Sequence, residues 1–305
     1  MFSEDVRNEL AAIAPANECD RLAELSALFH GAGSFHLRAG RDVSVELDLG
    51  STAVARRAFS LLRSFGVESE IRTYRRRRLE QGTRCQIHVP GRTRALEVLR
   101  EAGVLTGKLA PLDRPPRRLV ARSCCRSAYL RGAFLSGGSV SPPPSPHLEL
   151  RTAGREGAEF LASVAGAEGI RLGVLDRGRH AAAYAKGIDR LAEVLATTGA
   201  SDAALALEER AVVGATRSRA NRLANADHAN LVRSGRAAHA QLEAVKRLQR
   251  RRALADLPAP VREIAELRLR HPSLSLRELA AKCRPPATKA AAHRRLKKLI
   301  QLAER

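Results

Sequence analysis

One order of elements is written twice in the first 200 residues, and this repetition constrains the fold more than any other feature. A helix from Arg21 to about Phe29 runs into a glycine turn, Gly31-Ala32-Gly33-Ser34-Phe35. Val43–Leu49 then alternates like a half-buried strand, and a helix follows over Thr52–Phe65. Strands over Val67–Tyr74 and Arg84–Val89 come next, closed by a helix over Arg92–Ala102. The order recurs as helix Ser127–Ser136, the glycines Gly137-Gly138, strand His147–Arg151, helix Arg155–Ala165, strands Gly169–Leu175 and His180–Lys186, and helix Ile188–Thr197. Each copy reads α-β-β-α-β-β-α, over about 20–105 and 125–200, and Asp113–Arg118 links them. Two such copies can pack as a pseudo-dimer whose strands form one saddle. A further helix, capped by Ser3 and carrying Val6, Leu10 and Ile13, precedes the first copy. The proline-rich stretch Ser141–Pro146 is a loop tip that cannot join a ladder.

Residues 201–256 read as a basic helical connector, with a first helix ending near Val213-Gly214. A long helix then carries Leu223, Leu231, Leu242, Val245 and Leu248 as a thin apolar stripe. Residues 257–305 form a second domain. Val261, Ile264 and Leu267 mark a helix that ends before His271-Pro272. Ser275 and Glu278 then stand at capping-box spacing, with Leu274 able to staple onto Leu279. That short helix ends near Cys283, because Pro285-Pro286 cannot continue it. A last helix begins near Thr288, with Ala292, Leu296, Leu299 and Ile300 on one face and Lys289, His293 and Lys297 on the other. A short capped helix, a tight turn and a basic amphipathic helix make the helix-turn-helix pattern. Thr288, Lys289, His293, Arg294 and Lys297 are the candidates for base edges; Arg295 and Lys298 lean toward phosphates, and Ser275 and Arg277 complete the DNA-binding set.

Charge supports that reading. The net charge of +21 is concentrated in residues 211–305, which hold 22 basic and 7 acidic side chains, whereas the first 210 hold 31 and 25. Such a balance points to an anionic polymer. Of the 53 basic residues 46 are arginine, as GC-rich coding produces, so the distribution is the better witness. Aromatics make up 3% with no tryptophan, too few for stacking single-stranded bases, which favours duplex DNA. No apolar run is long enough for a membrane helix, and no secretion signal opens the chain. The five cysteines, Cys19, Cys85, Cys124, Cys125 and Cys283, lack C-x-x-C spacing, which fits a reducing cytosol better than disulfides or a zinc site. Cys124-Cys125 reads as two buried small residues rather than a redox sensor. The Arg75–Arg78 run is equally a solvated hairpin tip or a phosphate contact.

Leu25–Phe35 and Leu130–Ser139 each resemble the LAGLIDADG motif of homing endonucleases, whose paired helices end in acids that hold divalent metal. Here the acid positions align with Ala32 and Gly137, and the preceding positions hold His30 and Leu135, so neither site can ligate Mg²⁺. The packing logic survives and the cutting logic is absent. His30 reads as a helix-end histidine with a structural hydrogen bond. The glycine turns are too short for a nucleotide loop, and Ser34, Ser136 and Ser139 lack a His/Asp constellation.

Taken together the chain resembles the WhiA family of bacterial regulators. The resemblance rests on the degenerate motif helices, on Gly138-Ser139-Val140 with the proline-rich loop and His147-Leu148-Glu149, and on the connector Asn221–Asn230. The ending Pro285–Lys289 with His293–Leu299 matches as well. It implies an α+β fold, a duplicated LAGLIDADG-like domain plus an all-α helix-turn-helix domain. It also implies a non-catalytic, cytoplasmic, nucleoid-associated transcription regulator of cell division, chromosome segregation and, in actinobacteria, sporulation septation. Promoter DNA is the implied partner, with a WhiB-type iron–sulfur regulator beside it; no cofactor, metal or small-molecule substrate is expected. Ala290-Ala291-Ala292 departs from the family, which usually has Ser, Gly and an aliphatic residue there, leaving base preference open. Two other functions stay open. One is a metal-dependent nuclease using displaced acids among Glu18, Asp20, Asp48 and Glu149; the other is a nucleoid protein that binds DNA without sequence choice.

Overall fold

The computed structural model describes residues 2–37, 43–75 and 83–304. They divide into two compact units, Met1–Ala215 and Thr216–Arg305.

In the first unit, α1 (Phe2–Ala12) precedes two copies of one motif. The first copy runs α2 (Glu18–Ala32), β1 (Gly33–Leu37), β2 (Val43–Leu49), α3 (Thr52–Ser64), β3 (Glu70–Arg75), β4 (Thr83–Pro90) and α4 (Thr93–Glu101). A 3₁₀ turn at Arg117–Val120 leads into the second. That copy runs α5 (Ser123–Gly137), β5 (Gly138–Ser141), β6 (His147–Thr152), α6 (Arg155–Gly166), β7 (Gly173–Asp176), β8 (Ala181–Lys186) and α7 (Ile188–Thr198). The α-β-β-α-β-β-α order is present in both. The strands form two separate antiparallel sheets with the same order, β1-β2-β4-β3 and β5-β6-β8-β7. A single apolar core joins the copies.

α2 and α5 pack face to face at the centre of that core. Small residues make the close approach possible. A Cβ added at Gly132 would lie 2.4 Å from the Glu24 carbonyl oxygen, and one at Gly31 would lie 2.7 Å from the Ser136 Cβ. The expected glycine turns after these helices are absent. Gly33 (φ −81°, ψ 144°) and Gly138 (φ −73°, ψ 145°) are extended, so each helix passes straight into a strand. Glycine is required at Gly33 by space, since a Cβ there would meet the Phe29 carbonyl at 2.3 Å. Ser3 is no cap either. It lies within α1, where its hydroxyl donates to the Val140 carbonyl (2.7 Å) and accepts from the Val140 amide (2.9 Å), pinning the helix to β5.

α8 (Ser201–Arg250) is one continuous helix, without the break expected near Val213-Gly214. A glycine inside a helix costs only about 1 kcal/mol, less than the gain from continuing the ladder. Ala203, Ala204 and Leu207 complete the first core, and Ala244, Val245 and Leu248 belong to the second. Leu223 and Leu231, read as part of an apolar stripe, are 64% and 72% exposed. The second unit is completed by α9 (Ala259–Arg270), α10 (Leu276–Lys282) and α11 (Lys289–Glu304) around the second core.

Candidate nucleic-acid interface

The capping box forms as the sequence specifies. The Glu278 amide donates to the Ser275 hydroxyl (3.3 Å), and the Ser275 amide donates to the Glu278 carboxylate (2.8 Å). The Ser275 amide first, and then its hydroxyl, hold the Glu278 carboxyl below its ordinary value of 4.5. A depressed carboxyl stabilises the folded state above its unfolded pKa, and that contribution is lost as pH falls through the folded value. The α10 cap should therefore weaken on acidification below about pH 4–5. Ser275→Ala should cost about 1 kcal/mol at neutral pH in urea melts, and Glu278→Gln, which removes the titrating carboxyl, should flatten the acid limb of the stability profile.

Thr288 takes the equivalent place before α11, its hydroxyl accepting from the Ala291 amide (3.2 Å). With both helix starts fixed, Leu279, Ala292, Leu296 and Leu299 close the core and the opposite face of α11 turns outward. Lys289, His293, Arg294, Lys297 and Lys298 are all exposed, as are Ser275, Arg277 and Thr288. Arg295 is half-buried toward the turn and Cys283. The result is a single basic ridge: Lys289, His293 and Lys297 along one line, with Arg294 and Lys298 beside it. A groove lined by Asp227, Asn230, Leu231, Arg277, Lys289 and His293 runs along its start, between α8 and the helix-turn-helix.

One residue that holds this arrangement was not singled out from the sequence. Arg268 is buried on α9 and donates to the carbonyls of Leu274 (2.7 Å) and Pro272 (3.3 Å), fixing the loop that enters α10. Burial pushes its pKa down. The signal was periodicity: Val261, Ile264, Ala265 and position 268 share one face, but arginine there reads as solvent.

The duplicated unit presents a different surface. On the polar face of the first sheet, Glu46 lies 3.2 Å from His36, 3.4 Å from His88 and 2.7 Å from Gln86, while Asp48 pairs with Arg84 at 2.8 Å. In the second sheet Glu149 accepts from His147 (2.9 Å) and Arg177 (2.7 Å). The His147 bond, aided by Arg177, holds its carboxyl below the usual range in spite of burial. Ser34 faces Glu46 and Ser139 faces Glu149 in register, so these two acids are repeat mates. These acids are thus already paired within their own sheets. Of the Arg75–Arg78 run, Arg76 to Arg78 lie outside the described residues.

Ala32 and Gly137 are the last residues of α2 and α5, and the contact of Gly31 with Ser136 brings these helix ends together. The four displaced acids do not gather there. Asp48 and Glu149 hold the partners just named, while Glu18 and Asp20 stand at the opposite, N-terminal end of α2. His30 has its Nδ1 2.8 Å from the Ser26 carbonyl. Burial lowers its pKa, against the backbone carbonyls of Ser26 and Leu112 and the charge of Asp113, which raise it. The cysteine pair departs from expectation: Cys125 is buried but Cys124 is exposed.

At the α2–α5 interface sits a buried triad that the sequence reading passed over. Glu24 accepts from Arg57 Nε (2.7 Å) and a second Arg57 nitrogen (3.1 Å), and from Arg131 Nε (2.8 Å). Arg131 also donates to the Thr198 carbonyl at the end of α7 (3.2 Å). The triad ties α2, α3, α5 and α7 together.

Three family descriptions match the chain: the WhiA N-terminal LAGLIDADG-like domain over residues 18–105, the WhiA LAGLIDADG-like domain over 126–217, and the WhiA C-terminal HTH domain over 220–303. A probable cell division protein WhiA from Heliobacterium modesticaldum is 38% identical, covering 99% of this chain and 96% of the relative. One from Symbiobacterium thermophilum is 36% identical, covering 99% and 97%. Among solved structures, full-length DUF199/WhiA from Thermotoga maritima superposes with a TM-score of 0.58 at 22% identity, over 100% of this chain and 98% of that one, a likeness of fold.

Proposed function

The chain belongs to the WhiA family, and on that premise we propose that it is a sequence-specific, non-catalytic DNA-binding regulator. In this reading the helix-turn-helix finds promoters of genes for cell division and chromosome segregation, and for septation where the organism sporulates. The relatives' name, probable cell division protein, supports the process. The observation that carries the mechanism is the exposed basic ridge of α11, set by two capped helix starts. Lys289, His293, Arg294 and Lys297 reach base edges, with Thr288 at the helix start. Lys298, Arg295, Arg277 and Ser275 hold the phosphates that fix register. The duplicated domain keeps the paired-helix scaffold of an endonuclease as a docking platform, and an iron–sulfur regulator of the WhiB type is the partner we assign to it. Ala32 and Gly137 at the helix ends, and sheet acids already paired, support that division.

Selection of bound fragments from sheared genomic DNA at roughly physiological salt tests the division of labour. The full chain should enrich a few promoter fragments and residues 1–215 none. The shorter piece ends at 215 because Ala203, Ala204 and Leu207 belong to its core. Enrichment of the same fragments by 1–215 would reverse the assignment. Uniform recovery with a steep salt dependence would favour a nucleoid protein without sequence choice.

A further inference from the structure

Four side chains with metal-binding chemistry meet at the N-terminal ends of the two motif helices, away from the degenerate acid positions. They are Cys19 and Asp20 in the first turn of α2, and Cys124 and Cys125 in the first turn of α5. One ligand atom from each lies within 4.8 Å of all the others, the one such group of three or more among the described residues. We propose that Cys19, Asp20, Cys124 and Cys125 form a tetrahedral site for one thiophilic divalent cation, with zinc the best match.

The geometry carries the assignment. Zinc–sulfur bonds of about 2.3 Å in a tetrahedron put neighbouring sulfurs ~3.8 Å apart, and a zinc–oxygen bond of about 2.0–2.2 Å puts sulfur and oxygen ~3.5 Å apart. Cys124 Sγ and Cys125 Sγ are 3.9 Å apart, and Cys19 Sγ and Asp20 Oδ1 are 3.6 Å apart. Two edges of the coordination tetrahedron are thus already at length. So compact a set surrounds one ion; the ligands of an iron–sulfur cluster are spread over two or more irons. Three thiolates and one carboxylate suit zinc better than magnesium or calcium, which take oxygen ligands.

The surroundings fit as well. Asn17 donates to Asp20 Oδ2 at 3.0 Å, which leaves Oδ1 turned toward the thiols, the outer-shell support that metal-binding carboxylates use. Asp20 and Cys125 are buried, Cys19 is half-buried and Cys124 is exposed, so the site has a floor and an entry. Two helix N-termini supply partial positive charge beneath ligands that together carry more negative charge than the cation neutralises. As each sulfur–metal bond forms, the thiol proton leaves to solvent. The arrangement obeys the repeat: Cys19 and Cys124 are equivalent positions, as are Asp20 and Cys125, under the alignment that matches Ala32 with Gly137. A bound ion would clamp the two copies at the end of the helix pair opposite Ala32 and Gly137, the positions that align with the metal-holding acids of the endonuclease motif.

The test uses the full chain, purified reduced and then offered Zn²⁺ or Co²⁺. The expected result is one zinc per chain by elemental analysis. Cobalt should give thiolate-to-metal charge-transfer absorption with the intense visible bands of a tetrahedral ion. In competition with a chromogenic chelator, Cys19→Ser and Cys124→Ser should each weaken zinc by more than the roughly 10–100-fold that follows loss of an outer-shell partner. Cys124 is exposed, so its serine variant should fold, and circular dichroism of the metal-free chain checks this. Three results would overturn the proposal. One is five titratable thiols with no cobalt charge transfer, or with only the weak bands of an octahedral, adventitious ion. Another is a folded Cys124→Ser chain that holds zinc as tightly as the parent. The third is thiols that form disulfides on exposure to air but take up no metal once reduced again.

Discussion

Glu24→Ala is expected to destabilise the duplicated unit by about 3–5 kcal/mol, read as a lowered urea midpoint of the full chain's first transition. Glu24 is fully buried, and both arginines that face it are more than nine-tenths buried. Removing the carboxylate leaves two guanidinium groups in low dielectric, with the Thr198 carbonyl as the one partner described for either. That carbonyl ends α7, where the partial negative charge of a helix C-terminus offsets part of the second positive charge in the intact triad. Glu24→Gln should fall between the extremes, because an amide can still accept one of the arginine bonds. The triple replacement Glu24→Leu, Arg57→Met and Arg131→Met should recover most of the loss, since apolar packing often equals a buried ion pair. A loss below about 1 kcal/mol for Glu24→Ala would mean that water reaches the triad and screens it.

Lys289→Ala with Arg294→Ala should weaken specific DNA binding by about 2–6 kcal/mol, on the order of 1–3 for each base contact, and so raise the Kd by roughly 30-fold to 10⁴-fold. Both side chains are exposed on the side of α11 away from Ala292, Leu296 and Leu299, so their loss removes donors without disturbing the core. Lys298→Ala serves as the contrast. A phosphate contact should weaken all sequences alike and shorten the salt slope by about one, leaving specificity unchanged. Gel-shift titrations of cognate and scrambled fragments at two salt concentrations separate these effects. An unchanged Kd and footprint for the double variant would remove α11 from base recognition. Equal losses on both fragments would make the ridge an electrostatic anchor.

Much of this architecture is legible in the sequence because local physics writes it there. The two α-β-β-α-β-β-α copies follow from alternation in strands such as Val43–Leu49 and from apolar spacing in the helices. The helix-turn-helix follows from a cap whose two partners stand three residues apart and from the prolines Pro285-Pro286 that stop α10. The decay of the endonuclease motif is a matter of identity at Ala32 and Gly137, and needs no coordinates at all.

What sequence could not decide is what happens where distant residues meet. Arg57, Arg131 and Arg268 all fall on helix faces that periodicity marks as buried, yet a charged side chain read alone is assigned to solvent. Only the partners, Glu24 for the first two and loop carbonyls for the third, make burial affordable. The continuity of α8 through Gly214, and the separation of the strands into two sheets, likewise depend on packing summed over whole elements. Cysteine spacing argued against a metal because it counts neighbours along the chain; Cys19 and Cys124 are 105 residues apart and become neighbours only when α2 and α5 pack. Sequence by itself determined the elements, their duplication and the basic face of the last helix, since each is set within a few turns or strands. Tertiary structure alone decided which charges are buried together and which thiols converge, because those energies exist only between segments that folding brings into contact.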